Sequence, residues 1–174
     1  MRLFVSLILP PEALDPLTAL QDRLPNGRPV PEENLHLTLA FLGDQPESAV
    51  EPLHDALSTL RALPVSLTLS GAALFGGRSG QAAGLEADGG AALVQLHDRV
   101  KARLHGAGIC FERRRFRPHV TLTRLKGHAD ASGVLAALVG ATVGPVTCSS
   151  FALMESHLHP DGAIYEALSV YPLG

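Results

Sequence analysis

The sequence predicts an α+β protein built on a largely antiparallel sheet. Strand-like and helix-like segments come in mixed order, about four helices and six to eight strands, without the regular alternation of a doubly wound fold. The 174 residues include 17 glycines and 13 prolines, which keep the predicted elements short. A six-residue pattern also occurs twice, about eighty residues apart, and predicts two related lobes within one domain that covers residues 1–174.

The first half of the chain alternates between the two kinds of pattern. Runs of β-branched and apolar residues, or period-two alternation, predict strands where proline or glycine bounds them. Leucines and valines that recur every three or four residues predict helices. In chain order, the predicted elements are a strand at Arg2–Leu9, a helix through Leu14–Leu24, a strand at Leu35–Leu42, a helix that starts at Asp44–Glu47 and continues to Leu60, and a strand at Val65–Leu69.

The second half continues in the same way. A glycine-rich turn predicts a hairpin, and the turn His159–Gly162 separates the last two strands. In chain order, the predicted elements are the hairpin turn Gly76–Gly80, a weaker strand at Gln81–Ala87, a helix at Ala92–Leu104, a strand at Phe116–Leu125, a short helix in Ser132–Val139, and strands near Val146–Glu155 and Ala163–Tyr171.

The composition excludes several classes of protein. Hydrophobic residues make up 46% of the chain and charged residues 18%, which excludes a highly charged disordered chain. Cys110 and Cys148 lie far apart and outside any Cys-x-x-Cys pair, which argues against a disulfide scaffold or zinc knuckle and predicts a cytoplasmic protein. The apolar opening Leu3–Leu9 is too short to span a membrane. We therefore expect no membrane partner, and we expect a monomer.

The charges are distributed unevenly. Nine of the 14 Lys and Arg residues lie between Arg99 and Lys126, where Glu112 is the only acid. The rest of the chain carries five basic and 16 acidic residues, and the net charge is −3. One basic zone on an otherwise acidic protein predicts an anion-binding face, although a solvated helix face followed by a basic loop gives the same pattern.

The duplicated pattern is polar and centres on histidine. Residues 34–39 (NLHLTL) resemble residues 117–122 (RPHVTL), and each lies on a predicted strand after a helix and a loop. Because residues i and i+2 of a strand share a face, His36 and Thr38 present an imidazole and a hydroxyl together, as do His119 and Thr121. A single His-x-Thr is common in strands, but two copies in matching positions favour a functional site.

These residue types fit acid–base chemistry at a phosphate. The unperturbed pKa of histidine, about 6.5, allows both protonation states near neutrality. Two histidines that face one phosphorus can divide the work, one taking a proton from a nucleophile and one giving a proton to the leaving oxygen. The threonine hydroxyls could donate hydrogen bonds to the non-bridging oxygens. We expect no metal and no cofactor.

The chain resembles the two-histidine phosphoesterases with paired His-x-Thr-x motifs, and among them the bacterial and archaeal RNA 2′,3′-cyclic phosphodiesterases, once called 2′-5′ RNA ligases. The resemblance covers nearly the whole chain. It is carried by Arg2–Val5, Glu33–Gly43, Phe116–Leu125, and the closing residues Phe151, Leu153, Ser156, Tyr165, Pro172 and Leu173.

The resemblance implies a bilobal fold in which two antiparallel sheets form a V-shaped groove, with helices on the outside and the motif histidines facing each other. It implies that water opens RNA or nucleotides with a 2′,3′-cyclic phosphate to leave a 2′-phosphate. His119 would be the general base (proton acceptor) and His36 the general acid (proton donor), while Thr38 and Thr121 would bind the phosphate. Phe41 and Arg124 match positions that flank the base by stacking and by a guanidinium plane.

Two alternatives stay open at this point. The same site could run the reverse reaction, 2′-5′ ligation of a cyclic phosphate end to a 5′-hydroxyl. The protein could instead be a non-catalytic RNA-binding module that uses the basic zone alone. Arg113–Arg115 and Arg117, directly before the second motif, would hold an RNA backbone if they lie at the edge of the groove, or would form a solvated loop.

Other features carry less weight. Relatives often have an aromatic residue in the strand that matches Gln81–Gly84, where this chain reads QAAG. His54 and His97 are predicted on exposed helix faces. His157 and His159 could contribute to a metal site, but no carboxylate or thiol set accompanies them, and a turn is the favoured interpretation.

Overall fold

The structure, a computed structural model, describes all residues from Met1 to Gly174. It contains nine strands and four α-helices, together with 3₁₀ turns at Glu32–Asn34 and Glu47–Ala49. The strands are β1 (Arg2–Leu7), β2 (Arg28–Pro29), β3 (Leu37–Asp44), β4 (Val65–Gly77), β5 (Gly80–Asp88), β6 (His119–Leu125), β7 (Thr142–Cys148), β8 (Ser150–His157) and β9 (Ile164–Pro172). The helices are α1 (Pro11–Gln21), α2 (Val50–Ser58), α3 (Gly90–Gly106) and α4 (Ser132–Leu138).

All strand pairs are antiparallel, which confirms the predicted α+β class. The strand order is β7-β4-β5-β6-β3-β1-β8-β9, and the short β2 pairs with β6. The two motif strands, β3 and β6, are adjacent in the centre, but they pair only through Leu37 and Val120. The two predicted sheets are therefore joined into one sheet. Its two halves, β3-β1-β8-β9 and β6-β5-β4-β7, meet only at the single residue pair between β3 and β6. The pseudo-twofold relation of these halves stays a prediction.

The helices pack against the sheet, and α2 and α3 also pack against each other. α1 and α4 pack against the half formed by β6, β5, β4 and β7, whereas α3 packs against β3 and β4, at the boundary of the two halves, and against α2. The predicted apolar stripe of α3 is buried along its full length: Leu93, Leu96, Val100 and Leu104 are each at most 2% exposed. None of the four α-helices combines the length and the apolar composition that a membrane-spanning helix requires.

Three predictions of local structure were wrong in detail. The strand predicted at Phe116–Leu125 begins only at His119, because Pro118 has no N–H to donate and disfavours regular structure before it. The single strand predicted near Val146–Glu155 is two strands, which separate at Ser149 and lie in different halves of the sheet. His97 is 8% exposed and not on an open helix face, because its ring stacks on Phe116 at 3.8 Å between centroids.

Candidate active site

The two His-x-Thr motifs meet at the junction of β3 and β6. Leu37 and Val120 form the one pair between these strands, and both side chains are fully buried in the core. Alternation along each strand sends the neighbouring His and Thr side chains to the opposite face. The antiparallel direction sets each motif histidine opposite the other motif's threonine. All six residues predicted for the site line one groove of about 850 Å³: His36, Thr38, Phe41, His119, Thr121 and Arg124.

The two histidines are held in the same way. His36 Nδ1 lies 2.7 Å from the carbonyl oxygen of Asn34, and His119 Nδ1 lies 2.6 Å from the carbonyl oxygen of Arg117, in each case two residues earlier in the chain. A carbonyl can only accept a hydrogen bond, so Nδ1 carries the proton in both rings. Each neutral ring therefore leaves the lone pair of Nε2 free to accept a proton. On His36, Nε2 accepts a hydrogen bond from the Thr38 hydroxyl at 2.9 Å.

Aromatic rings surround His36. Phe4 and Tyr165 lie 5.1 and 5.3 Å from the imidazole centroid, and the two rings meet each other edge-on at 5.0 Å. Phe4 comes from β1 and Tyr165 from β9, so two strands of the same half fix the orientation of one histidine. This enclosure lowers the pKa of His36 below 6.5, since burial penalises the charged form.

The charges around His36 act in both directions. The hydrogen bond to the Asn34 carbonyl favours the imidazolium and raises the pKa of His36. The positive charges of Arg124 and His119 lower that pKa further. Burial is the largest of these effects, so the pKa of His36 lies below 6.5 and the ring is neutral at pH 7 in the free protein.

His119 is enclosed by a different set of groups. Phe75 of β4 stacks on the imidazole with centroids 3.9 Å apart and 22° between planes. Burial lowers the pKa of His119, the hydrogen bond to the Arg117 carbonyl opposes this, and the guanidinium groups of Arg117 and Arg124 add to the lowering. Glu86 of β5, the cross-strand partner of His119, raises the pKa.

Phe41 and Arg124 reach the groove only because both motif strands are irregular. Each lies five residues after its motif histidine, an odd separation that regular alternation would place on the other face. The pairing of β3 with β1 shifts between Ala40 and Thr38, and the pairing of β6 with β5 shifts between Thr123 and Thr121. Each shift adds one residue to the motif strand and returns the later side chain to the groove.

The strand segment Gln81–Gly84 has no aromatic side chain, but the site has an aromatic contact nearby. Ala82 pairs with Phe75, the residue that stacks on His119. A Cβ atom at Gly84 would lie 1.9 Å from the carbonyl oxygen of Val120, so β5 and β6 approach closely where the second motif begins. The small residues of β5 thus permit close strand pairing, and Phe75 supplies the ring from the next strand.

Sequence reasoning missed several residues of this site. The sequence pattern gives no role to Phe75 or Glu86, and Phe4 and Tyr165 enter only through the resemblance. Their signal is weak because they contact the histidines through pairing of distant strands. The predicted strand at Val65–Leu69 also ended before Phe75, whereas β4 continues to Gly77.

Some arginines of the basic zone line the groove and others point into solvent. Arg114 and Arg124 line the groove, whereas Arg113 does not. Arg114 is held by Glu112, with 2.6 and 2.9 Å from its nitrogens to the carboxylate, and its guanidinium lies 5.8 Å above the Phe41 ring. Part of the basic run therefore faces the site, and Arg113 is solvent-exposed.

One cluster outside the groove could hold a metal ion. The ring nitrogen Nε2 of His157 lies 3.4 Å from Glu155 and 3.2 Å from Glu166, across the β8–β9 hairpin. One ligand atom from each of the three residues lies within 4.8 Å of the others. The expectation that no carboxylates accompany His157 was therefore wrong, because Glu166 approaches through strand pairing. His159 is not part of this cluster, and none of its three members lines the groove.

Comparison with known proteins points to one family. The family model described as 2′-5′ RNA ligase superfamily matches residues 9–160. A protein of Aeropyrum pernix named RNA 2′,3′-cyclic phosphodiesterase is 31% identical over a 144-residue alignment that covers 80% of this chain and 82% of that protein. A Thermus thermophilus protein of the same name is 34% identical over an alignment of 185 positions, gaps included, that covers 99% of this chain and 90% of that one. The crystal structure of E. coli LigT in apo form matches with a TM-score of 0.77 at 26% identity, covering 99% of this chain and 96% of that chain.

Proposed function

The chain belongs to the 2′-5′ RNA ligase superfamily, and from this premise we propose that its groove hydrolyses 2′,3′-cyclic phosphate ends of RNA, or of nucleotides, to 2′-phosphomonoesters. The relatives named RNA 2′,3′-cyclic phosphodiesterase support this reaction, and so does the structural likeness to LigT. The observation that carries the residue roles is the matched pair of histidines at one groove, each with Nδ1–H on a backbone carbonyl, which leaves Nε2 as the proton-accepting nitrogen of the neutral ring.

His119 acts as the general base. Its Nε2 takes a proton from a water molecule as the water oxygen forms a bond to phosphorus, on the side opposite the 3′ oxygen. Glu86, its cross-strand partner, stabilises the imidazolium that results. The equivalent carboxylate is missing around His36, whose charged neighbours are both cationic. This difference in charge supports the assignment of the base to His119.

His36 acts as the general acid. As the bond between phosphorus and the 3′ oxygen breaks, protonated Nε2 donates its proton to that oxygen and leaves a 3′-hydroxyl beside the 2′-phosphate. In the free protein the Thr38 hydroxyl occupies Nε2, so an entering phosphate displaces this contact. The phosphate anion also favours the imidazolium form of His36, which prepares the acid for its step. After each turnover the two histidines exchange protons with water and return to their starting forms.

The remaining groove residues bind the substrate. The hydroxyls of Thr38 and Thr121 donate hydrogen bonds to the non-bridging phosphate oxygens. The charge of Arg124 acts on both His36 and His119, so we assign its guanidinium to the phosphate between them and not to the base, where the resemblance alone would place it. Phe41 is 53% exposed and offers a ring face for the terminal base. We also infer that the enzyme acts as a monomer in the cytoplasm. One chain supplies every groove residue, and both cysteines are free thiols.

The test uses an RNA oligonucleotide that ends in a 2′,3′-cyclic phosphate, incubated in EDTA, with products assigned by phosphorus NMR. The wild-type protein should give a 2′-phosphate. His36→Ala and His119→Ala should each lower kcat by roughly 10²–10⁴. His128→Ala is the matched control, because His128 is exposed and does not line the groove. An unchanged cyclic end would contradict the proposal, and joined 2′-5′ products would indicate ligation.

A further inference from the structure

A second, smaller cavity opens from the groove on the side of the basic run. It has a volume of about 240 Å³ and shares Thr38, Phe41 and His119 with the groove. A molecule in this cavity would therefore lie directly beside the reacting phosphate. Its size is below that of typical pockets for drug-sized ligands and suits one planar ring system.

The walls of the cavity are aromatic and held in place. Phe116 stacks on the buried His97 with centroids 3.8 Å apart and 8° between planes. Phe111 packs against His105 at 5.0 Å. Both phenylalanines line the cavity, and each is braced from α3, the helix that carries His97 and His105. Such fixed ring faces are the surfaces on which nucleobases stack.

The cationic side chains of the cavity have no anionic partners. Lys101, Arg115 and Arg117 line it, and none of them takes part in an ion pair within the protein. Arg114 differs, because Glu112 neutralises it at the wall shared with the groove. Unpaired cations beside aromatic walls match a nucleotide that carries a phosphodiester.

We propose that this second cavity binds the nucleotide immediately 5′ of the terminal one, an inference that rests on the proposed function. Its base stacks on the aromatic wall, and Lys101 and Arg115 contact the phosphodiester that joins it to the cyclic end. The enzyme is therefore selective for RNA ends over cyclic mononucleotides, which fill the groove alone.

The experiment compares a dinucleotide that ends in a 2′,3′-cyclic phosphate with the cyclic mononucleotide of the same terminal base. The wild-type kcat/KM should be about tenfold or more higher for the dinucleotide, the effect of one stacked and charge-paired nucleotide. The double variant Lys101→Met/Arg115→Met should lose this preference, while its kcat/KM for the mononucleotide stays within about twofold of wild type. The preference should also shrink as salt concentration rises, since the added contacts are ionic.

Arg113→Met is the matched control, because Arg113 belongs to the same basic run and lines neither cavity. It should keep the dinucleotide preference. Equal kcat/KM for the two substrates in the wild-type protein would overturn the proposal, as would an undiminished preference in the double variant. An equal loss on both substrates would overturn it too, since the cavity would then hold the terminal nucleotide. Absence of turnover on both substrates in the wild-type protein would instead contradict the proposed function.

Discussion

The ring of Phe75 stacks on the imidazole of His119, with centroids 3.9 Å apart and 22° between the planes. The guanidinium carbon of Arg117 lies 4.5 Å from the centroid of the same phenylalanine ring. Arg117 also accepts the Nδ1–H of His119 on its carbonyl oxygen. One residue from β4 and one from the segment before β6 thus fix both the plane and the tautomer of the imidazole.

Phe75→Ala tests this support. Removing the ring admits water to His119, so the pKa of its imidazole should rise toward 6.5 because burial is the main cause of its lowering. The acidic limb of the kcat/KM profile should therefore move to higher pH, and kcat should fall by roughly tenfold as the ring loses its orientation. Phe75→Tyr keeps the stack and should restore both. An Ala variant with an unchanged profile would contradict a positioning role.

The pH dependence of the wild-type enzyme follows from the two histidines. The free enzyme reacts when His119 is neutral and His36 is protonated, so kcat/KM rises as His119 loses its proton and falls as His36 loses its own. Burial lowers both pKa values below 6.5. The maximum of the bell should therefore lie below pH 6.5, as measured with a cyclic mononucleotide in buffers of constant ionic strength. A maximum above pH 7 would contradict the expected lowering of the two pKa values.

Arg124→Gln should change both substrate binding and the pH profile. Its positive charge lowers the pKa of His36 and of His119, so its removal should raise both and move the whole bell to higher pH. KM should rise by roughly tenfold because one charge-assisted contact to phosphate is lost. The control is Glu86→Gln. Glu86 raises the pKa of His119, so this variant should shift only the acidic limb, and to lower pH. Shifts in the same direction for both variants would refute the charge assignment.

Sequence reasoning predicted the parts of the site that depend on local periodicity. Strand alternation places His36 with Thr38 and His119 with Thr121, and the structure brings both pairs to one groove. Alternation alone would have excluded Arg124, because it lies an odd number of residues from His119. Its position depends on an irregular pairing with β5, a non-local feature, and only the resemblance pointed to it.

The same limit applies to the fold. Helical spacing predicted the buried stripe of α3 correctly, since the burial of Leu93 and Val100 depends only on the 3.6-residue period of the helix itself. It could not predict the burial of His97, which is covered by Phe116 from a segment that was expected to be strand. The division of Val146–Glu155 at Ser149 was missed for a similar reason. No glycine or proline marks the break, and only the position of each strand in the sheet separates them.

Gly84→Ala tests the close approach of β5 and β6 behind the second motif. The added methyl would lie 1.9 Å from the Val120 carbonyl oxygen, a backbone atom that cannot turn away, so the two strands must separate. We expect a loss of at least about 2 kcal/mol in the free energy of unfolding, measured by urea denaturation. Gly77→Ala, where a Cβ has no neighbour within 4 Å, should stay within about 0.5 kcal/mol of wild type.

The same substitution should also lower activity. Because Val120 pairs with Leu37 and separates His119 from Thr121, kcat should fall in Gly84→Ala under conditions where the variant is fully folded. Wild-type stability in this variant would show that the two strands can separate at no cost, and wild-type kcat would show that their spacing does not position the motif.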